Sequence, residues 1–288
     1  MAAWKTSSLS PAALNRAGRT LVDQAAMSSE REAAVSIVSE WRSSHAFPLN
    51  TIQMWLRRHA RSISPRALVA QRLKRLESAE SKLRRFPTMN LSQIQDFGGC
   101  RAILPTLQQV EAVVNSIKKS TSDHELKNEK DYISLPAPSG YRSRHLIYRY
   151  NSTQAHLYAR HFIEMQIRTQ AQHDWATAVE IFGTFLRQEL KSGLGEQRYL
   201  DFFRLVGELF FADESGLFRT RAREYRSKII FAGQEMRDLR ILQRMNAFSN
   251  RLRKAWRGVD EVIQAWDVDP RDAPPDGRDC QEDEALPI

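Results

Sequence analysis

The residues with the clearest chemical potential lie in the segment Glu164-Met-Gln-Ile-Arg-Thr169, which is followed by His173. Apolar and polar side chains alternate along this segment, and this pattern predicts a half-buried strand whose polar face carries Glu164, Gln166 and Arg168. A carboxylate, a guanidinium and an imidazole so close together can bind or transfer a charged group. A solvated strand with no function has the same pattern.

A second carboxylate stands in Ile94-Gln-Asp96-Phe-Gly-Gly-Cys-Arg101, where Gly98 and Gly99 allow a ligand to approach the backbone. Magnesium is usually held by one or two carboxylates and takes its other ligands from water and substrate phosphates. Asp96 and Glu164 are therefore candidate metal ligands. Their spacing is equally compatible with an aspartate at a helix end and an unrelated glutamate.

Cations are concentrated between residues 64 and 85, where Ser64-Pro65 and the apolar spacing predict a helix that runs to about Arg85. A row of cations with a hydroxyl can hold a triphosphate, although a solvated basic helix face is the commoner case; the row comprises Arg72, Lys74, Ser78 and Lys82. Tyr141 follows a glycine in a loop, where its ring could stack on a purine base. Most tyrosines in loops have no such role.

The charge of the 288-residue chain is unevenly distributed. Ten acidic residues against Arg271 and Arg278 give residues 258–288 a charge of −8, so the net charge of +9 leaves +17 on residues 1–257. This excess favours an anionic partner, either nucleotide phosphates or nucleic acid, over a merely solvated basic surface.

Several classes of protein are disfavoured by the sequence. Two cysteines are too few for a disulfide framework or a four-ligand zinc site, and we find neither a signal peptide nor a run long enough to cross a membrane. The sequence thus predicts a cytoplasmic protein with no membrane partner. It lacks a glycine-rich phosphate loop, a His-Glu-x-x-His motif and a Gly-x-Ser-x-Gly nucleophile, so metal-assisted transfer is favoured over covalent catalysis.

The order of predicted elements is helices, then strands mixed with helices, then helices, which favours an α+β fold. We expect a helix at Leu107–Lys119, strands at 100–104, 145–150 and 162–168, and a short extended piece at 131–134. From Gln170 onward the sequence is typical of helices until the proline-rich acidic tail, which we expect to be disordered.

Taken in order, these residues form a series of motifs: Arg72-x-Lys74-x3-Ser78-x3-Lys82, Asp96-x4-Arg101, Asp131-Tyr-Ile, Gly140-Tyr141-x-Ser143-x-His145, Glu164-x-Gln-Ile-Arg168-Thr, and His173. The series resembles the synthetase domain of the RelA/SpoT family over roughly residues 55–185. The resemblance implies a nucleotidyltransferase-like mixed β-sheet flanked by helices. It also divides the chain into an N-terminal helical extension (1–54), the synthetase domain (55–185), a basic helical region (186–257) and the acidic tail (258–288).

The resemblance further implies the reaction: pyrophosphate moves from ATP to the 3′-hydroxyl of a purine nucleotide, and AMP is released. The implied catalytic residues and Mg²⁺ ligands are Asp96 and Glu164, and Glu164 could also take the proton of the attacking hydroxyl. The implied ATP-binding residues are Arg72, Lys74, Ser78, Lys82 and Arg101. The implied acceptor-side residues are Tyr141, Ser143, His145, Arg168 and His173, with Tyr141 stacking on the base.

The chain departs from the family pattern at one position of the acceptor site. The family usually has a lysine in Asp-Tyr-Ile-x-x-Pro-Lys, where this chain has Ala137, and Arg144 could compensate in part for the lost charge. About 55 residues precede the matching region, so we expect a small member without a hydrolase domain.

The acceptor is left open by the sequence. GDP or GTP would give (p)ppGpp, whereas a toxin-type member would modify the 3′ CCA end of tRNA. The basic helices of 217–257 would suit a tRNA backbone or an oligomer interface, and an antitoxin is a further candidate partner. A catalytically decayed RNA-binding module is a further alternative. The acidic tail could fold back on these helices as a weak inhibitor or remain an inert solvated segment.

Overall fold

The computed structural model describes residues 4–152, 156–159 and 161–217, together with residues 227, 228, 231 and 234. The acidic tail 258–288 and most of the basic segment 218–257 lie outside the described residues, so the predictions made for them stay predictions. None of the described helices is both long and apolar enough to span a bilayer.

A mixed five-stranded sheet forms the centre of the fold, with the strand order β1-β2-β5-β4-β3. The strands are β1 (Leu68–Leu73), β2 (Gly98–Leu104), β3 (Glu125–Asp131), β4 (Arg144–Arg149) and β5 (Phe162–Thr169). β2 and β5 are parallel, and the other three neighbouring pairs are antiparallel. The predicted α+β class is confirmed.

Seven α-helices surround the sheet within the described residues: α1 (Pro11–Val22), α2 (Ser28–Ser44), α3 (Ala46–Ile63), α4 (Leu76–Arg85), α5 (Leu107–Lys119), α6 (Gln170–Leu186) and α7 (Gln197–Glu214). α3 and α5 cover one face of the sheet. The core there contains the apolar residues of the central strands, such as Ile163, Met165 and Ile167, each fully buried. The sequence predicted that one face of β5 would be buried, and the burial of these three residues confirms it.

Two further apolar clusters position the remaining helices. The first joins α1 and α2 to α4 through residues such as Leu21, Val38 and Leu83. The second joins α6 to α7 through aromatic residues, including Trp175 and Phe203, and Tyr141 belongs to it. α4 and α6 are thus held on separate cores, and both contribute residues to the cavity described below.

One element was wrongly predicted from the sequence. The helix expected from Ser64 to about Arg85 is instead strand β1 followed by helix α4. β1 is an edge strand whose residues are mostly exposed, so it lacks the buried alternation that identifies a strand. Its pairing with all of β2 except Leu104 overrides the helix-forming composition.

Other predicted elements agree closely with the structure. α5 has the predicted bounds, and β2, β4 and β5 lie within two residues of theirs. The extended piece expected at 131–134 lies earlier, as the charged edge strand β3, and a turn follows it at Tyr132. Edge strands are often rich in charge, which removes the hydrophobic signal used to find them.

Candidate active site

Two rows of side chains cross the polar face of the sheet. Arg72 is paired with Gly99, which is paired with Glu164, so these residues form one row across β1, β2 and β5. In the second row, Arg101 pairs with Gln166, which pairs with His145 of β4. Directly paired residues share a face. Since Gly99 has no side chain, the surface between Arg72 and Glu164 is open.

A cavity of about 800 Å³ lies over this face, between α4, α6 and the turn that follows α6. Eight of the predicted site residues line it: Arg72, Lys74, Ser78, Lys82, Asp96, Tyr141, His145 and Glu164. The structure thereby brings together residues that are up to 92 positions apart in the sequence (72 to 164).

Asp96 is bound by two lysines of the predicted phosphate site. Lys74 Nζ donates to Asp96 Oδ2 at 2.7 Å, and Lys82 Nζ donates to Asp96 Oδ1 at 2.9 Å. Burial opposes the charge of Asp96, but the two ammonium groups outweigh it and hold the pKa of the carboxyl below its usual range. Asp96 is therefore an ionised carboxylate beside a pair of cations.

Glu164 heads a chain of polar contacts that ends at Tyr141. Gln166 Nε2 donates to Glu164 Oε1 at 2.5 Å, and His145 Nδ1 lies 3.5 Å from Glu164 Oε2. The other ring nitrogen of His145 is 2.9 Å from the Tyr141 hydroxyl. Burial opposes the charge of Glu164, yet His145 and Gln166 keep the pKa of the carboxyl below its usual value.

Four predicted site residues do not line the cavity. Ser143 is fully buried, and its hydroxyl donates to the Ile167 carbonyl at 3.2 Å. Arg168 is also buried, with Nη2 2.7 Å from His173 Nδ1. Burial and the neighbouring Arg168 lower the pKa of His173 to about 4, so His173 is neutral and can accept this hydrogen bond. Arg101 lines a small adjacent cleft with Asp96 and Glu164.

Some cavity residues were missed by the sequence analysis, notably Glu180 of α6 and Lys191 of the turn Leu190–Ser192. Lys191 Nζ is 3.1 Å from Glu180 Oε2. Glu180 stands seven residues after His173 within an otherwise apolar stretch of α6, and this isolated charge was the available signal. Lys191 gave no such signal because it lies in an irregular segment.

The donor set fits magnesium. Asp96 and Glu164 line the same cavity, and one or two carboxylates are what Mg²⁺ takes when substrate phosphates and water complete its shell. Among the described residues, no group of three or more histidine, cysteine or acidic side chains could enclose a metal by itself. A metal held here would thus depend on its substrate for ligands.

Comparison with known proteins finds a family match over the part of the chain that contributes most of the predicted site residues in this cavity. Residues 71–181 match the model of the region found in RelA/SpoT proteins. This region of the chain is therefore of the RelA/SpoT type. It contains both acidic residues and the lysines that contact Asp96.

Two curated relatives come from Bacillus subtilis. The chain is 32% identical over 120 residues to GTP pyrophosphokinase YjbM, a match covering 40% of this chain and 54% of the relative. It is 37% identical over 113 residues to GTP pyrophosphokinase YwaC, covering 37% of this chain and 52% of the relative. The chain therefore spans about half the length of the curated relatives it matches.

Several solved structures share the fold of this chain. Small alarmone synthetase 1 from Bacillus subtilis, bound to its product pppGpp, has a TM-score of 0.53 at 20% identity, covering 64% of this chain and 96% of that one. A GTP pyrophosphokinase family protein from Streptococcus pneumoniae has a TM-score of 0.52 at 23% identity, covering 66% and 95%. At these identities the likeness concerns the fold.

Proposed function

We propose that this chain is an ATP-dependent pyrophosphokinase that transfers the β,γ-pyrophosphate of ATP to the 3′-hydroxyl of a purine nucleotide. The observation that carries the proposal is the arrangement of one cavity. Asp96 and Glu164 lie in it together with Lys74, Ser78 and Lys82, so two carboxylates face a row of phosphate-binding groups. Phosphoryl-type transfer needs this combination of positioning and charge neutralisation more than it needs a covalent intermediate.

In the proposed reaction, the acceptor 3′-oxygen forms a bond to the β-phosphorus of ATP. The bond from that phosphorus to the oxygen bridging to the α-phosphate breaks, and AMP leaves with the bridging oxygen. Glu164 takes the proton of the attacking hydroxyl, a role open to it because its low pKa keeps it ionised at neutral pH.

The remaining residues bind and orient the substrates. Lys74 and Lys82 contact the ATP phosphates, exchanging their contacts with Asp96 for contacts with phosphate oxygens. Asp96 and Glu164 are the residues that would hold Mg²⁺, which supplies charge neutralisation at the polyphosphate. Arg72 lies beside them at the sheet edge, where it can contact the nucleotide.

GDP and GTP are the acceptors we propose. Support comes from the two relatives named GTP pyrophosphokinase, which exceed 30% identity over the matched regions. It also comes from the polar cavity beside Tyr141, on which we propose that a purine base stacks. The tRNA alternative rests on the basic residues after Leu217, most of which lie outside the described residues.

The test is to incubate the protein with ATP carrying label in the β,γ-phosphates, Mg²⁺ and, in separate reactions, GDP, GTP or tRNA. AMP release that depends on GDP or GTP, with label transferred to the nucleotide, supports the proposal. Transfer to tRNA alone would replace the acceptor and keep the chemistry. No transfer to any of the three, together with salt-sensitive RNA binding, would favour a decayed RNA-binding module.

A further inference from the structure

A lysine that belongs to none of the predicted motifs lies over the ring of Tyr141. Lys191 Nζ is 5.8 Å from the centre of that ring, and both residues line the cavity. Tyr141 is otherwise enclosed by Tyr132, His145 and Trp175, with only 8% of its surface exposed. A base that stacks on Tyr141 from the cavity must therefore meet Lys191.

The turn that carries Lys191 is fixed to the rest of the fold on both sides. Leu190 is buried in the aromatic core of α6 and α7. Arg85, the last residue of α4, donates from Nη2 to the Ser192 carbonyl at 2.8 Å. Because the residues on either side of Lys191 are anchored, its side chain is directed to the cavity by the fold.

The surroundings of Lys191 carry an excess of positive charge. Its ionic partner is Glu180, whose side chain is 59% exposed. Burial lowers the pKa of Lys191, and Arg168 and Arg72 lower it further, while Glu180 raises it. One exposed carboxylate facing several cations leaves a site that favours an additional anion.

Position 137 leaves room for that anion. Ala137 lines the same cavity, and its backbone N–H donates to the Tyr141 carbonyl at 3.1 Å. Arg144, which the sequence suggested as a substitute cation, is held by Glu111, Glu129 and Asp131 and does not line the cavity. Lys191 is thus a cation close to the Tyr141 ring in a cavity whose wall at 137 has only a methyl group.

We propose that Lys191 binds a phosphate group of the acceptor nucleotide while the acceptor base contacts Tyr141. This inference rests on the proposed function and adds the residue that holds the acceptor. Lys191 is then an acceptor-binding residue that comes from the turn after α6, outside the matched motifs. Glu180 is the positioning residue that holds the ammonium group when the acceptor is absent.

The test compares steady-state kinetics of Lys191→Ala, Lys191→Arg and the matched control Lys118→Ala. Lys118 pairs with Glu129 at 2.5 Å and is 39% exposed, close to the 36% of Lys191, but it lies on α5 away from the cavity. We expect Lys191→Ala to raise the KM for GDP or GTP by about tenfold to a hundredfold, the effect of losing one charge-assisted contact. We expect the KM for ATP to change less than about twofold.

Two further variants distinguish binding from a structural role. Lys191→Arg should retain most acceptor affinity, and the double variant Ala137→Lys with Lys191→Ala should regain part of it, because position 137 opens on the same cavity. Lys118→Ala should match the wild type in both KM values.

A rise in the KM for ATP instead of the acceptor, or an unchanged acceptor KM in Lys191→Ala, overturns the inference. Acceptor affinity measured by calorimetry without ATP provides the second readout: equal affinities of wild type and Lys191→Ala for GDP also overturn it. If the wild type itself transfers nothing to GDP, GTP or tRNA, the proposed function has failed, which is a different result.

Discussion

Replacing Glu164 by glutamine separates the contribution of this residue to catalysis from its contribution to stability. The substitution keeps the shape of the side chain and removes a charge that has a long contact with His145 and a hydrogen bond from Gln166. We expect transfer to fall by about 10² to 10⁴-fold, the range for loss of a general base. This corresponds to roughly 3–5 kcal/mol of activation free energy.

The free energy of unfolding should change little. Glutamine loses part of a charge-assisted hydrogen bond, worth about 1 kcal/mol. It also removes the burial cost of the carboxylate and its repulsion with Asp96, both of which oppose the charged form. These effects have opposite sign, so we expect the Tm to move by no more than about 4 °C, the shift produced by 1 kcal/mol in a domain of this size.

Glu129→Gln is the matched control because Glu129 lies on the same sheet but outside the cavity lining. It pairs with Lys118 and with Arg144, so its neutralisation should lower the free energy of unfolding by about 1–3 kcal/mol. Transfer measured at 25 °C should stay within twofold of wild type. The assays are label transfer from ATP and thermal unfolding followed by circular dichroism. Glu164→Gln activity within a few-fold of wild type would refute the assignment of Glu164 to the chemistry.

Three other perturbations have outcomes set by the structure. Asp96→Asn should abolish transfer yet tighten ATP binding measured calorimetrically in EDTA, because Lys74 and Lys82 lose their anionic competitor; weaker binding would contradict this. Gly140→Ala should destabilise the protein by at least about 1 kcal/mol more than Gly193→Ala, as measured by urea unfolding. Both glycines have a positive φ, but an added Cβ would lie 2.9 Å from the Arg204 backbone only at Gly140. Burial lowers the pKa of His45 to about 3, below its unfolded value near 6.5. The folded protein therefore keeps the His45 imidazole neutral at a pH at which the unfolded chain protonates it. The contribution of neutral His45 to the free energy of unfolding is full above pH 6.5 and is lost as the pH falls towards 3. Urea unfolding from pH 7.5 to pH 5 should show this loss, roughly 2 kcal/mol between pH 6.5 and 5, and His45→Asn should have the shallower profile; equal profiles would contradict it.

The sequence predicted those parts of the fold in which burial follows a simple period. α5 and β5 were predicted nearly to the residue because Val110, Val113, Val114 and Ile117 repeat with the helix and Ile163, Met165 and Ile167 repeat with the strand. β1 was mistaken for a helix because edge strands are defined by a partner strand more than by their own burial. A hydrogen-bonded partner distant in the chain cannot be found from local periodicity.

The order of the motifs in the sequence indicated which residues belong to the candidate site. Asp96, Glu164, Lys74 and Lys82 do lie in one cavity, although their roles stay predictions until they are tested. Two properties were not predictable: the pairing of Lys74 and Lys82 with Asp96, and the position of Lys191. Both depend on how elements that are separate in the sequence pack against one another, and no pattern within one element reports the distance between them.

The parallel pairing of β2 with β5 determines when the candidate site forms during synthesis and folding. β5 is the last strand among the described residues but lies in the centre of the sheet, between β2 and β4. During synthesis, Lys74, Lys82 and Asp96 leave the ribosome well before Glu164. The edge of β2 that pairs with β5 has no partner until β5 has been made. Pairing across such a long intervening segment is slow, because the entropy cost of closing the loop comes before the stabilising contacts are made. The nascent chain therefore carries Asp96 and the two lysines that contact it before Glu164 is present, and the cavity that they share forms only when β5 has paired with β2.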